Sequence, residues 1–146
     1  MKDQVAIIGV GCTNFGDQFD QSYEDLVVDA AHAAFADAGI QPDRIDAAWL
    51  GTYSPFGGYG KASVSLADAL RLYGKPITRV ENFCATGTDA FRNACMAVAC
   101  GMYDVALVLG AEQLKKPPGR WLSRGSEHPY PTYGFAAPGI FALGAQ

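Results

Sequence analysis

Between Phe83 and Tyr103 the chain carries only two charges, Asp89 and Arg92. Phe91, Cys95, Val98 and Met102 recur at helical spacing as one stripe, while Ala85, Gly87, Ala90, Ala94, Ala97 and Ala99 keep the other faces small. A helix that is apolar or small nearly all round is one that is buried nearly all round. It belongs between two layers, not on the surface of a single sheet. Cys95 and Cys100, inside this helix, read as core residues.

The rest of the chain alternates strand and helix. Val5–Val10 (VAIIGV) is a compact β-rich run that reads as a buried strand. A helix starts at Ser22, where Ser22 and Asp25 form a capping box. Val27, Ala31, Ala34 and Ala38 make its apolar stripe, widened by Val28 and Phe35. Gly39 fits the terminating position, and Pro42 keeps the helix from continuing. Ala47–Gly51 reads as a second strand, Thr52–Lys61 as a glycine- and aromatic-rich loop, and Ser63–Tyr73 as a helix with Leu66, Leu70 and Tyr73 on one face. Ile77–Asn82 is a third strand, Cys84–Met102 the alanine-rich helix and Val105–Ala111 a fourth strand. This order predicts an α/β domain with a largely parallel sheet.

Composition narrows the classes of function. With 146 residues, 49% hydrophobic and 18% charged, the chain suits one globular domain with a substantial core. The net charge is −4 and the basic residues are scattered, which points away from nucleic acid and from anionic membranes. The run Val5–Val10 is too short for a signal peptide and no stretch could span a bilayer, so a cytoplasmic location is the expectation. Cys12, Cys84, Cys95 and Cys100 have neither CxxC nor zinc-ligand spacing, so no metal is expected. Gly9-x-Gly11 lacks the third glycine and the helix of a dinucleotide fingerprint, which makes these glycines structural.

After Glu112 the character changes. Gln113–Tyr133 carries prolines, both signs of charge and aromatics and reads as an irregular loop. A helix with Pro138 in its first turn and Ile140, Phe141 and Ala145 as apolar members then begins without reaching a cap. The expected division is a half-domain over 1–112 and the start of a loop region over 113–146, with the chain a fragment of something longer.

Cys84 stands where the strand Ile77–Asn82 gives way to the helix. Such junctions favour Ser, Thr, Asp or Asn, whose oxygens accept from the free first-turn N–H groups. A thiol accepts poorly, so capping does not explain it. A helix N-terminus does favour a thiolate, by up to ~2 kcal/mol in a buried geometry, and its N–H groups can stabilise an oxyanion. Glu81, three residues earlier, would oppose the effect. Helix placement alone is thus insufficient and a nearby base is required. His32 lies among alanines in the first helix and His128 in the Ser126–Tyr130 loop; neither is an evident base for Cys84. From these residues alone, nucleophile and packing both stay open.

The segment VENFCATGTDAFRNACMAVACGMYDVALVLGAEQL resembles the nucleophile segment of thiolases, especially the sterol-carrier-protein-type thiolases and their archaeal and bacterial relatives. The opening VAIIGVGCTNFG, the run Asp37–Asp46 and the run Ala137–Leu143 are also similar to that family. The resemblance implies two similar α/β halves stacked in five layers, of which this chain supplies one, an α/β/α half-domain with a mostly parallel mixed sheet. It implies that Cys84 takes an acyl group as a thioester, and that Asn82, Thr86 and Gly87 shape its turn and meet the substrate. The substrate is then an acyl-CoA, with no cofactor besides the coenzyme A thioester itself. The activating histidine and a second cysteine come from the other half in that family, so this chain alone is expected to be inactive.

Many biosynthetic thiolases have Asn three residues before the cysteine, where this chain has Glu81. Some relatives act as aldolases on acyl-CoA side chains, so aldol cleavage is one alternative; a non-catalytic half-domain assembled with a partner chain is another. Lys115, Lys116, Arg120 and Arg124 form a basic loop, read as solvated in preference to a phosphate site. A lone half-domain leaves one face of its central helix wet, which predicts a homo-oligomer or a partner chain.

Overall fold

The computed structural model describes residues 3–53 and 63–113, together with 142 and 145. The described fold lies within one compact unit, Met1–Gln113. Helix α1 is Tyr23–Ala38, strand β1 Ala47–Gly51, helix α2 Ser63–Leu70, strand β2 Ile77–Val80, helix α3 Thr86–Ala99 and strand β3 Ala106–Gly110. The strands form a parallel sheet in the order β2-β1-β3, with Gly51 opposite both Val80 and Gly110.

Alternation along the central strand divides the core in two, because successive side chains of a strand point to opposite faces. Ala48 and Leu50 join Tyr23, Val27, Ala31 and Phe35 of α1 and Leu66 and Leu70 of α2. Ala47 and Trp49 join Ala90, Ala94 and Ala97 of α3. The half-domain is therefore α/β/α in three layers, as the resemblance implies, and its described strands are parallel, as the alternating pattern predicts.

The cap of α1 is the one the sequence describes. The Ser22 hydroxyl accepts from the Asp25 N–H at 3.0 Å, and the Asp25 carboxylate accepts from the Ser22 N–H at 2.8 Å. Gly39 ends the helix in the left-handed conformation, φ 67°.

Several expectations fail. Val5–Val10 joins no strand ladder among the described residues, and Ile7, Ile8 and Val10 are exposed. The run lies against α1 instead. Its glycines permit that contact. A Cβ on Gly9 would collide with Ala34 and Ala38, and one on Gly11 with Ala30, Ala33 and Ala34. The Val10 N–H donates to the Asp37 carboxylate at 2.9 Å.

Helix α2 stops at Leu70, because Arg71 takes a left-handed φ of 55°. Leu72 then enters the core and Tyr73 points outward, not along the Leu66–Leu70 face.

On α3 the packed face is the alanine one. The larger stripe, with Phe91 and Met102, stays exposed together with Met96. Cys100 is exposed and Cys95 half-buried, so neither is the core residue the sequence suggests. Small residues let α3 lie close on the sheet, and burial all round is not reached among the described residues.

No helix of the described residues is long and apolar enough to cross a membrane. The Gln113–Tyr133 loop beyond residue 113, the basic residues from Lys115 to Arg124, His128 and the Pro138 first turn lie outside the described residues.

Candidate active site

The carboxyl ends of the three parallel strands converge on one region, the usual place for a ligand in open α/β sheets. Strand β2 ends at Val80, two residues earlier than the sequence suggests, and α3 starts at Thr86, two residues later. Between them Phe83–Ala85 forms a 3-10 turn that carries Cys84 at its centre. Cys84 is exposed. It thus stands just before the first turn of α3, not inside it.

The turn is held by its own side chains. The Thr86 hydroxyl accepts from the Asn82 N–H at 2.8 Å and donates to the Phe83 carbonyl at 2.6 Å. The Phe83 N–H donates to the Glu81 carboxylate at 2.8 Å, and the Ala85 N–H to the Asn82 carbonyl at 2.9 Å. Glu81, which the sequence casts as an opponent of a thiolate, is thereby occupied with the backbone of the turn. Phe83 has a φ of 46°, a conformation in which a bulky side chain is strained.

Thr86 is buried over the end of β1. No side-chain cap reaches the start of α3; its first N–H, that of Thr86, donates to the Phe83 carbonyl, and the helix dipole there still favours a negative charge. A Cβ at Gly87 would meet nothing within 4 Å, which leaves the surface beside that turn clear. The structure thus brings Asn82, Cys84, Thr86 and Gly87 together in one connection. His32 is not part of it: it sits on α1, exposed, edge-on to Phe35 at 5.9 Å. Among the described residues no cluster of His, Cys, Asp or Glu could hold a metal ion.

The polar residues that close the other strand ends form no motif in the sequence. The Arg79 guanidinium donates to the Thr52 carbonyl at 2.9 Å and the Tyr53 carbonyl at 3.5 Å. The Glu112 carboxylate accepts from the Tyr53 N–H at 2.8 Å. The Tyr53 ring stacks on Phe83 at 5.2 Å between centroids. Burial pushes the Tyr23 phenol above its ordinary range, opposed by the neighbouring Thr52 hydroxyl. The two hydroxyls nevertheless miss the geometry of a hydrogen bond. Position was the available signal: Thr52, Tyr53 and Glu112 each follow the carboxyl end of a predicted strand.

Three comparisons bear on this geometry. The family model described as the N-terminal domain of thiolase matches residues 5–126. Acetyl-CoA acetyltransferase of Methanothermobacter thermautotrophicus is 39% identical over 116 residues, 78% of this chain and 30% of that protein. Sterol carrier protein 2 of Gallus gallus is 35% identical over 121 residues, 80% of this chain and 21% of that protein. Among solved structures, an acetyl-CoA acetyltransferase from Syntrophomonas wolfei superposes with a TM-score of 0.61 at 26% identity, covering 70% of this chain and 27% of that one. The chain spans less than a third of the length of each of these three.

Proposed function

The chain belongs to the thiolase family, and on that premise we propose that Cys84 is the nucleophile of a thiolase-type acyl transfer. The observation that supports this reading is the place of Cys84: exposed, between the carboxyl end of a parallel strand and the uncapped start of α3. A thioester can reach it there, and the start of α3 follows two residues on.

In this reading the Cys84 sulfur attacks the keto carbon of a 3-ketoacyl-CoA. The new C–S bond forms as the carbonyl π electrons move onto oxygen, and amide N–H groups stabilise that oxyanion. When the carbonyl re-forms, the bond between the α and β carbons breaks, and the departing acetyl-CoA enolate takes up a proton. The thiol of a second CoA then attacks the acyl-Cys84 thioester, releases the shortened acyl-CoA and returns the sulfur. Run backwards, the same steps are a Claisen condensation.

Asn82 and Thr86 hold the turn in this scheme, and Gly87 keeps the approach open. The base that activates the thiol comes from sequence outside the described half-domain. A complementary half covers the exposed face of α3 in this reading, through a longer chain, a partner chain or a second copy.

The test is thiolysis of acetoacetyl-CoA by the polypeptide in its full natural length. Cys84→Ser is expected to reduce the rate by roughly a thousandfold or more, as loss of a covalent nucleophile does. Undiminished thiolysis in that variant would remove Cys84 from the role. Cleavage of a 3-hydroxyacyl-CoA without thiolysis would point to the aldolase relatives, and neither activity to a non-catalytic subunit.

A further inference from the structure

We infer that Tyr53 is a positioning residue for Cys84, acting through Phe83; the inference rests on the reading of Cys84 as the nucleophile. Phe83, immediately before Cys84, is held at a φ of 46°, where residues with side chains rarely settle. Two of the contacts that hold it belong to the turn itself, its N–H to Glu81 and its carbonyl to Thr86. Another comes from outside the turn. The Tyr53 ring stacks on the Phe83 ring at 5.2 Å, the planes inclined by 29°.

Tyr53 is itself anchored at every strand end. It lies two residues past the end of β1, after Thr52. Its N–H donates to Glu112, just past β3, and its carbonyl accepts from Arg79 of β2, which also holds the Thr52 carbonyl. The ring is therefore a platform whose position the sheet sets, and Phe83 is pressed against it. Phe83 remains 62% exposed, so its ring adds little to the core. What the stack can do is hold the backbone at Phe83. Release to a negative φ would swing the next peptide plane, and Cys84 with it, away from the start of α3.

The experiment follows alkylation of the 146-residue chain by iodoacetamide, with peptide mapping of Cys84 and Cys100 in the same sample. Tyr53→Ala should slow alkylation at Cys84 relative to Cys100 by roughly threefold to tenfold, as Cys84 moves away from the start of α3 and its dipole. Tyr53→Phe, which keeps the ring, should restore the wild-type ratio. In a Phe83→Gly background, where glycine accepts the left-handed conformation without a stack, Tyr53→Ala should change nothing further.

If Tyr53→Ala does not fold, Tyr53→Leu, which loses the aromatic ring, is read the same way. A folded Tyr53 variant with the wild-type ratio overturns the inference. So does an effect that persists undiminished in Phe83→Gly. Because alkylation needs no acyl-CoA, a Tyr53 effect in a protein that performs no acyl transfer would refute the proposed reaction and leave the positioning intact.

Discussion

Gly51 and Thr86 touch where the central strand ends and α3 begins: a Cβ on Gly51 would lie 3.1 Å from Thr86 Cγ2 and 3.3 Å from its carbonyl oxygen. The absent side chain lets the start of α3 settle on the sheet, with the Cys84 turn just ahead of it. Gly51→Ala makes Thr86 give by a few tenths of an ångström and should cost about 1 kcal/mol, with Gly51→Val worse. Thermal unfolding measures the loss. Amide shifts at Thr86 and Gly87 should move further than those at the far end of α3.

The reciprocal Ser22–Asp25 cap predicts a local loss on α1. Ser22→Ala should cost about 1 kcal/mol. Because the two side chains satisfy each other's backbone, Ser22→Ala and Asp25→Ala together should cost less than the sum of the single variants. Additive losses in denaturant unfolding would show that the two bonds act independently.

The run through Gly9 and Gly11 should come away from α1 when the contact is blocked. Gly11→Val places side-chain atoms onto the Ala30 carbonyl and Ala34. Hydrogen exchange at the Val10 amide, which Asp37 protects in the wild type, should then approach that of an unprotected amide, while Ala48 stays protected.

Acid should weaken the joint between β1 and β3. The Asp46 carboxylate accepts from the N–H groups of Val105 at 2.9 Å and Asp104 at 3.1 Å. Those backbone bonds, Val105 first, hold its pKa below the ordinary carboxylate range. A group whose folded pKa is depressed stabilises the fold above its unfolded pKa and stops doing so as pH falls through the folded one. Wild-type melting temperature should therefore drop through that acidic window, and Asp46→Ala should show a lower midpoint with a flatter acid limb.

Local chemistry was legible wherever a residue's partner lay nearby in sequence. Ser22, Asp25 and Gly39 state the limits of α1, and Ala47–Gly51 reads as a strand because nothing else buries five consecutive residues there. Val5–Val10 has the same apolar composition, yet a strand needs a neighbouring edge, and that is decided by other segments. The end of α2 at Arg71 carries no glycine or proline to announce it. Cys84 was legible as an anomaly at a junction. The Tyr53–Phe83 stack was not, since it depends on how Glu112 and Arg79 meet across three strands.

Acetylation by acetyl-CoA, read by peptide-mapping mass spectrometry, tests most directly whether Cys84 carries the acyl group. In the polypeptide of full natural length, the Cys84 peptide should gain one acetyl group selectively, and the other cysteines should not. The 146-residue chain alone should gain none within minutes. A folded full-length protein with Cys84 unmodified, or acetylated no faster than Cys12 and Cys100, would contradict the account.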